Sequence, residues 1–357
     1  MSQVASHYLP PAPITMSDVP APLHRIGVIA DVQYVDDEDA FNYSKTRRRY
    51  YRQSLEQMRA AIERWREEDV HRVLQLGDLL DGKSGRQGKR DRDFAALRQL
   101  ISGLPVPWHH CIGNHELYNF GEAELRQWMS VDAGIDLGET NYYAFSPTPG
   151  FVILVLNSYQ ISDVRQIAFG AQDTVGKDDV VDDDAVDNDD APALPAPMAE
   201  ARGLLETHNA NTDKNSPTGL DGLDRRWCAF NGALGADQLE WLDRKLAESR
   251  ANGDKVLIAS HVPVDPRACA DVLDLTWDYD SIVRTIAKYS DIVVAVFAGH
   301  DHDGKQFFDE KANILYVTFK AVLETGPESN AFAVCELYED KLELKGFGEI
   351  SSFVVTF

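Results

Sequence analysis

Six short apolar runs, five of them leading straight into polar, ligand-capable residues, constrain this chain more than any other feature. They are RIGVIA (25–30), VLQL (73–76), WHHCI (108–112), FVILVL (151–156), VLIAS (256–260) and VVAVFA (293–298). Several are near-continuously apolar, as expected of strands covered on both faces. Helical spacing fills the intervals. Residues 47–70 set Leu55, Met58, Ile62 and Trp65 on one stripe, and 235–249 repeat the pattern with Leu239, Leu242 and Leu246. Residues 331–348 read as a hairpin turning at Glu339-Asp340, and SFVVTF closes the chain. The alternation predicts an α/β layered domain whose last strands pair antiparallel.

Bulk properties bound what such a domain can do. The 357 residues are 44% hydrophobic and 26% charged, enough for a sizeable core. We expect one domain over 25–357, preceded by a flexible lead-in over 1–24. The lead-in is punctuated by proline and lacks the apolar segment of a secretory signal. No run of 18 apolar residues offers a spanning helix. Four cysteines without CxxC spacing suit a reducing compartment and argue against a thiolate zinc site. The expectations are a cytoplasmic monomer without a membrane partner. A net charge of −23 also argues against nucleic acid. Much of that charge sits in KDDVVDDDAVDNDD (177–190), with eight aspartates. Such a block repels itself, so it reads as an acidic disordered insertion at about 171–198. The spacing matches no EF-hand calcium loop.

The polar residues behind the strands form a series. Asp31 and Gln33 follow the first, Gly77-Asp78 the second, Gly113-Asn114-His115-Glu116 the third, His261 the fifth, and Gly299-His300-Asp301-His302 the sixth. A lone histidine after a strand is usually a hydrogen-bonded structural residue. Five strand ends carrying oxygen and imidazole donors point instead to a metal rim, because sites form where carboxyl ends of strands converge. Donors of this kind without thiolate suit manganese, zinc or iron. A carboxylate such as Asp78 can bridge two cations roughly 3.5–4 Å apart.

These five blocks, in this order, resemble the signature of calcineurin-like metallophosphoesterases. The resemblance implies a two-sheet β-sandwich flanked by helices, four layers deep in the order αββα. It implies that Asp31, Gln33, Asp78 and His302 hold one metal and that Asp78, Asn114, His261 and His300 hold the other. His115 would face the phosphate as the catalytic residue. Gln33 departs from the histidine most members carry, and its neutral oxygen should favour manganese. Asp-x-Gln, together with TRRRYYR at 46–52, Asn209 to Leu220, Phe230-Asn231-Gly232 and Gln238 to Leu242, resembles a narrower family, the manganese-dependent ADP-ribose/CDP-alcohol diphosphatases, and this resemblance implies an active-site loop at about 204–232.

The activity implied is hydrolysis of the phosphoanhydride in nucleoside diphosphate-X compounds. ADP-ribose would give AMP and ribose 5-phosphate; CDP-choline and other CDP-alcohols would give CMP and a phospho-alcohol. Two divalent ions would serve, manganese preferred, with magnesium, zinc or iron as alternatives. Substrate contacts are expected from Phe41, Tyr43, Arg47, Ser216, Leu220 and Phe230, the aromatic rings offering a surface for the base. The competing reading is another metallophosphoesterase, a cyclic-nucleotide phosphodiesterase or a phosphomonoesterase. An inert scaffold fits poorly, since every ligand position is filled.

Overall fold

The computed structural model describes residues 20–42, 45–164 and 195–357. Lead-in residues 1–19 and most of the acidic insertion (165–194) lie outside them. The helix Ala196–His208 begins inside the span assigned to the insertion.

The apolar runs segregate into two six-stranded sheets, as the family resemblance implied. The first has the spatial order Phe353–Thr356, Lys341–Gly348, Ala331–Leu337, His24–Ile29, Arg72–Gln75, Trp108–His110. The second runs Lys305–Asp309, Ile314–Thr318, Val293–Ala298, Lys255–Ala259, Phe151–Val155, Tyr143–Phe145. The sheets face each other. Val28 and Val73 of the first share one core with Val155, Leu257, Ala259 and Phe297 of the second. Alternate residues of the second sheet, Leu154, Val256 and Ile258, face outward onto Leu242, Leu246, Ile282 and Ile286 of two helices. Each such aliphatic side chain contributes about 1.5–3 kcal/mol on burial.

Helix Tyr51–Glu67 covers the other side, burying Met58, Ile62 and Trp65 as their spacing predicts. Trp65 sits over Gly27, where a Cβ would come within 2.6 Å of the indole. Its Nε1–H donates to the Ala333 carbonyl at 3.0 Å. The layering is therefore helix, sheet, sheet, helix. The helix starts later than its periodicity suggests. The Asn42 side chain accepts from the amides of Thr46 and Arg47, turning the chain so that Arg48–Arg49 pairs with Ala40–Phe41 as a short hairpin. The carboxy-terminal hairpin forms between Ala331–Leu337 and Lys341–Gly348.

The pairing explains why the polar residues meet. His24–Ile29, Arg72–Gln75 and Trp108–His110 are mutually parallel, as are Phe151–Val155, Lys255–Ala259, Val293–Ala298 and Ile314–Thr318. Parallel strands put their carboxyl ends on one edge. Backbone bonds then stitch the loops of that edge: Asp31 N–H to Gly77, Gln33 N–H to Asp78, Gly299 N–H to His261 and Leu323 N–H to Asp31.

Candidate metal centre

The seven ligand-type side chains that follow the strands come together at this edge. Ligating atoms of Asp78, His261 and His300 lie within 4.8 Å of one another. Asp31 is fully buried, and its carboxylate accepts the His300 backbone N–H at 3.0 Å, tying the two sheets. His302 Nε2 lies 3.6 Å from Asp31 Oδ1, and Asp78 Oδ2 lies 3.6 Å from His261 Nε2. Asn114, at the start of helix Asn114–Asn119, has Oδ1 within hydrogen-bond reach of the Tyr159 hydroxyl at 3.3 Å.

The backbone here is held under strain. Asp31, Gln33, Asp78 and His300 all adopt left-handed φ, at 51°, 41°, 58° and 66°. Each such non-glycine residue costs on the order of 1–3 kcal/mol, a cost concentrated at functional sites. Glycines allow the crowding beside them. A Cβ on Gly113 would overlap Asp78 Oδ1, and one on Gly299 would overlap Asp31 Oδ2.

Three hydrogen bonds fix which imidazole nitrogen is free. His261 Nδ1–H donates to the Leu76 carbonyl at 2.7 Å, leaving Nε2 for the site. His302 Nδ1–H donates to Glu324 at 2.9 Å, leaving Nε2. His300 Nε2–H donates to Asn231 Oδ1 at 2.8 Å, leaving Nδ1. Such outer partners orient the ring and raise its basicity toward a metal. His115 is set differently. Gly82 N–H donates to its Nδ1 at 2.8 Å, so its proton sits on Nε2, 3.9 Å from Asp78 Oδ2. Burial, then the charges of Arg49 and Arg86, push His115 well below its usual value, so it is a neutral donor.

Glu116, whose role the sequence left open, braces the edge. Its carboxylate accepts from the amides of Asp78, Leu79 and Gly113 at 2.6–2.8 Å. Glu324, too, carries no sequence signal, lying in AVLETGP far from any block. Burial opposes its ionisation, yet His302 and Arg49 hold it down at about 2. Asn231 belongs to the Phe-Asn-Gly block, and its amide also donates to the Arg226 and Leu273 carbonyls. Asn209 organises the loop before it, donating to the carbonyls of Lys214, Ser216 and Trp227.

The unmet bonding capacity of the rim fits cations. Gln33 Oε1 and His261 Nε2 are buried without a hydrogen-bond partner. Burial raises both site carboxyls; Asp78 reaches about 7, and the Asp78 charge pushes Asp31 further. Divalent ions would reverse that penalty.

Of the substrate-side residues, Phe230 has its ring 5.9 Å from that of His300. Phe41 is 54% exposed on the short hairpin. Tyr43 lies outside the described residues. Arg47 is engaged by Asp303 and Glu324. Ser216 bonds Thr218 within its loop, and Leu220 packs against the cluster of Trp227 and Trp277. His109 and His110 are buried structural residues, the first stacked on Phe145 and the second bonded to Gln75.

Two stacked sheets with buried oxygen and imidazole donors along their shared edge define a metal-dependent phosphoesterase. Comparison with known proteins agrees: the pattern of the calcineurin-like phosphoesterases matches residues 24–304. A manganese-dependent ADP-ribose/CDP-alcohol diphosphatase of Danio rerio is 36% identical over 94% of this chain and 99% of its own length. The Homo sapiens protein of the same name is 34% identical over 97% of this chain and 96% of its own. The crystal structure of a Danio rerio dimetal phosphatase superposes with a TM-score of 0.82 at 35% identity, covering 94% of this chain and 99% of that one. The chain belongs to the calcineurin-like phosphoesterases and, within them, to the family of manganese-dependent ADP-ribose/CDP-alcohol diphosphatases.

Proposed function

We propose that this protein hydrolyses the phosphoanhydride bond of nucleoside diphosphate-X compounds, ADP-ribose and CDP-alcohols such as CDP-choline, with manganese. The observation that carries the reading is the edge itself. Ligating atoms of Asp78, His261 and His300, from both sheets, lie within 4.8 Å of one another, three imidazoles each commit one nitrogen to an acceptor, and relatives matching 94% and 97% of the chain carry this activity in their names.

We assign Asp31, Gln33, Asp78 and His302 to one ion and Asp78, Asn114, His261 and His300 to the other. The Gln33 amide directs Nε2 at Asp78 Oδ2 and His302 Nε2, at 3.0 and 2.9 Å, while Oε1 is unpartnered. A half-turn of the amide, a soft torsion, exchanges the two atoms and aims the oxygen at the ion. The bound ions supply Lewis-acid polarisation of the phosphoryl group and a nucleophile at neutral pH.

The protein's own groups do the rest. Asp78 and Asn114 hold the geometry of the edge, with Asp78 fixed by the His115 backbone N–H at 2.9 Å. His115 donates its Nε2 proton to the oxygen of the departing group. Its neutral state is maintained by burial and by the Gly82 amide, which blocks a proton at Nδ1. General-acid assistance of this kind contributes about 10²–10⁴-fold. His115 then regains a proton from solvent for the next turnover. Among the described residues no helix is long and apolar enough to cross a membrane.

The test is a substrate panel with manganese: ADP-ribose, CDP-choline, a cyclic nucleotide and a phosphomonoester. The reading expects the two diphosphates to turn over with the highest kcat/KM. Inert diphosphates beside a rapidly hydrolysed cyclic nucleotide would replace it with the phosphodiesterase reading.

A further inference from the structure

His115, only partly exposed, lies beside Tyr118 and within reach of the Arg86 charge. The imidazole and phenol rings are 5.3 Å apart. Both flank Gly82, whose amide holds His115 Nδ1. A Cβ placed on Gly82 would sit 3.0 Å from Tyr118 Cδ2 and 3.4 Å from Arg86 Nη1. One backbone position thus gathers the phosphate-facing imidazole, an aromatic edge and a guanidinium. Arg86 is the last residue of helix Gly82–Arg86, which is anchored where Asp81 accepts the Lys83 amide.

What separates Arg86 from its neighbours is that its guanidinium is uncommitted. Arg48 is paired with Asp39, Arg49 with Glu324, Arg90 with Glu124, and Arg92 with Asp36 and Asp93. Arg47 is held between Asp303 and Glu324. Among the described residues no ion pair or hydrogen bond engages Arg86, which is exposed. In a chain of net charge −23, a bare cation beside the group that protonates the leaving oxygen calls for an anionic partner from outside. Its charge already reaches His115 and Asp81.

We propose that Arg86 binds the departing phosphate of a nucleoside diphosphate-X substrate while His115 protonates the oxygen that departs with it. This rests on the functional reading above and takes it further. The P–O bond to the bridging oxygen breaks and leaves its electron pair on that oxygen, which takes the His115 Nε2 proton. The oxygen of water forms the new P–O bond and its proton passes to solvent. A guanidinium engages two phosphate oxygens in parallel, so it serves a diphosphate and has nothing to grip on a diester lacking the second phosphate. Arg47, expected from the sequence to contact substrate, is paired with Asp303 and Glu324.

The test compares R86A and R86K with the unaltered protein, manganese-loaded, on ADP-ribose, CDP-choline and the p-nitrophenyl ester of thymidine 5′-monophosphate. In R86A, kcat/KM for the diphosphates should fall about tenfold further than for the aryl ester, a differential equivalent to about 1.4 kcal/mol. R86K should fall in between, since it restores charge without the fork. Taking the ratio of substrates within each variant removes any loss of folded enzyme. An unaltered protein that turns over diphosphates, with R86A showing the same substrate ratio, would overturn the role of Arg86 alone. An unaltered protein active on the aryl ester and inert on both diphosphates would overturn the functional reading and this proposal together.

Discussion

The two sheets furnish the rim with different chemistry and hold it by different means. The loops of the first sheet bring oxygen and amide donors: Asp31, Gln33, Asp78 and Asn114. Those of the second bring imidazoles: His261, His300 and His302. On the first side control is exerted through the backbone. Three of its four residues sit at left-handed φ, and amides of His300 and His115 aim the two carboxylates. On the second side it is exerted through acceptors, namely Leu76 O, Asn231 Oδ1 and Glu324. A carboxylate has two equivalent oxygens and needs only to be pointed. An imidazole must also carry its proton on the far nitrogen, so it needs a partner behind it.

Asp78, on the first side, is the one residue assigned to both ions, so removing its charge should break the comparison most severely. D78N should lower kcat by roughly 10³-fold or more, because several kcal/mol of charge stabilisation is lost. A steady-state assay at saturating manganese checks this, and a loss under tenfold would contradict the bridging assignment. Glu324→Gln, on the histidine side, removes the acceptor charge behind His302 and leaves the ligand in place. Manganese affinity measured by calorimetry should fall about 10–100-fold, with kcat recovering at high manganese. A kcat that stays low at saturating metal would mean that Glu324 does more than orient a ligand. Gln33→His places an imidazole among the oxygens and blurs the distinction between halves. The expected change is the smallest, a few-fold shift in preference from manganese toward zinc at retained activity. Unaltered metal preference would remove the explanation of the glutamine.

Much of this rim was legible in the sequence, because each donor trails an apolar run by a few residues and parallel pairing gathers such ends. The split into two sheets followed from the family resemblance and was not legible in the hydrophobic pattern itself. Strands covered on both faces look alike whether the covering layer is a helix or another sheet, and only the partition of Leu257 inward and Ile258 outward distinguishes them. Glu324 was illegible for a related reason, since it reaches His302 through a loop with no local pattern. Arg48 and Arg49 read as the start of a helix, because periodicity does not register the turn imposed by the Asn42 side chain. The free charge of Arg86 is a property of its surroundings: the same residue type at 47, 48 and 49 is paired.

The central claim is that donors from both sheets hold two ions joined through Asp78. Low-temperature electron paramagnetic resonance of the manganese-saturated protein tests it directly. The account predicts the multiline spectrum of a spin-coupled manganese pair, with two ions per chain by elemental analysis. The spectrum of isolated manganese at that stoichiometry, or a single bound ion, would contradict it.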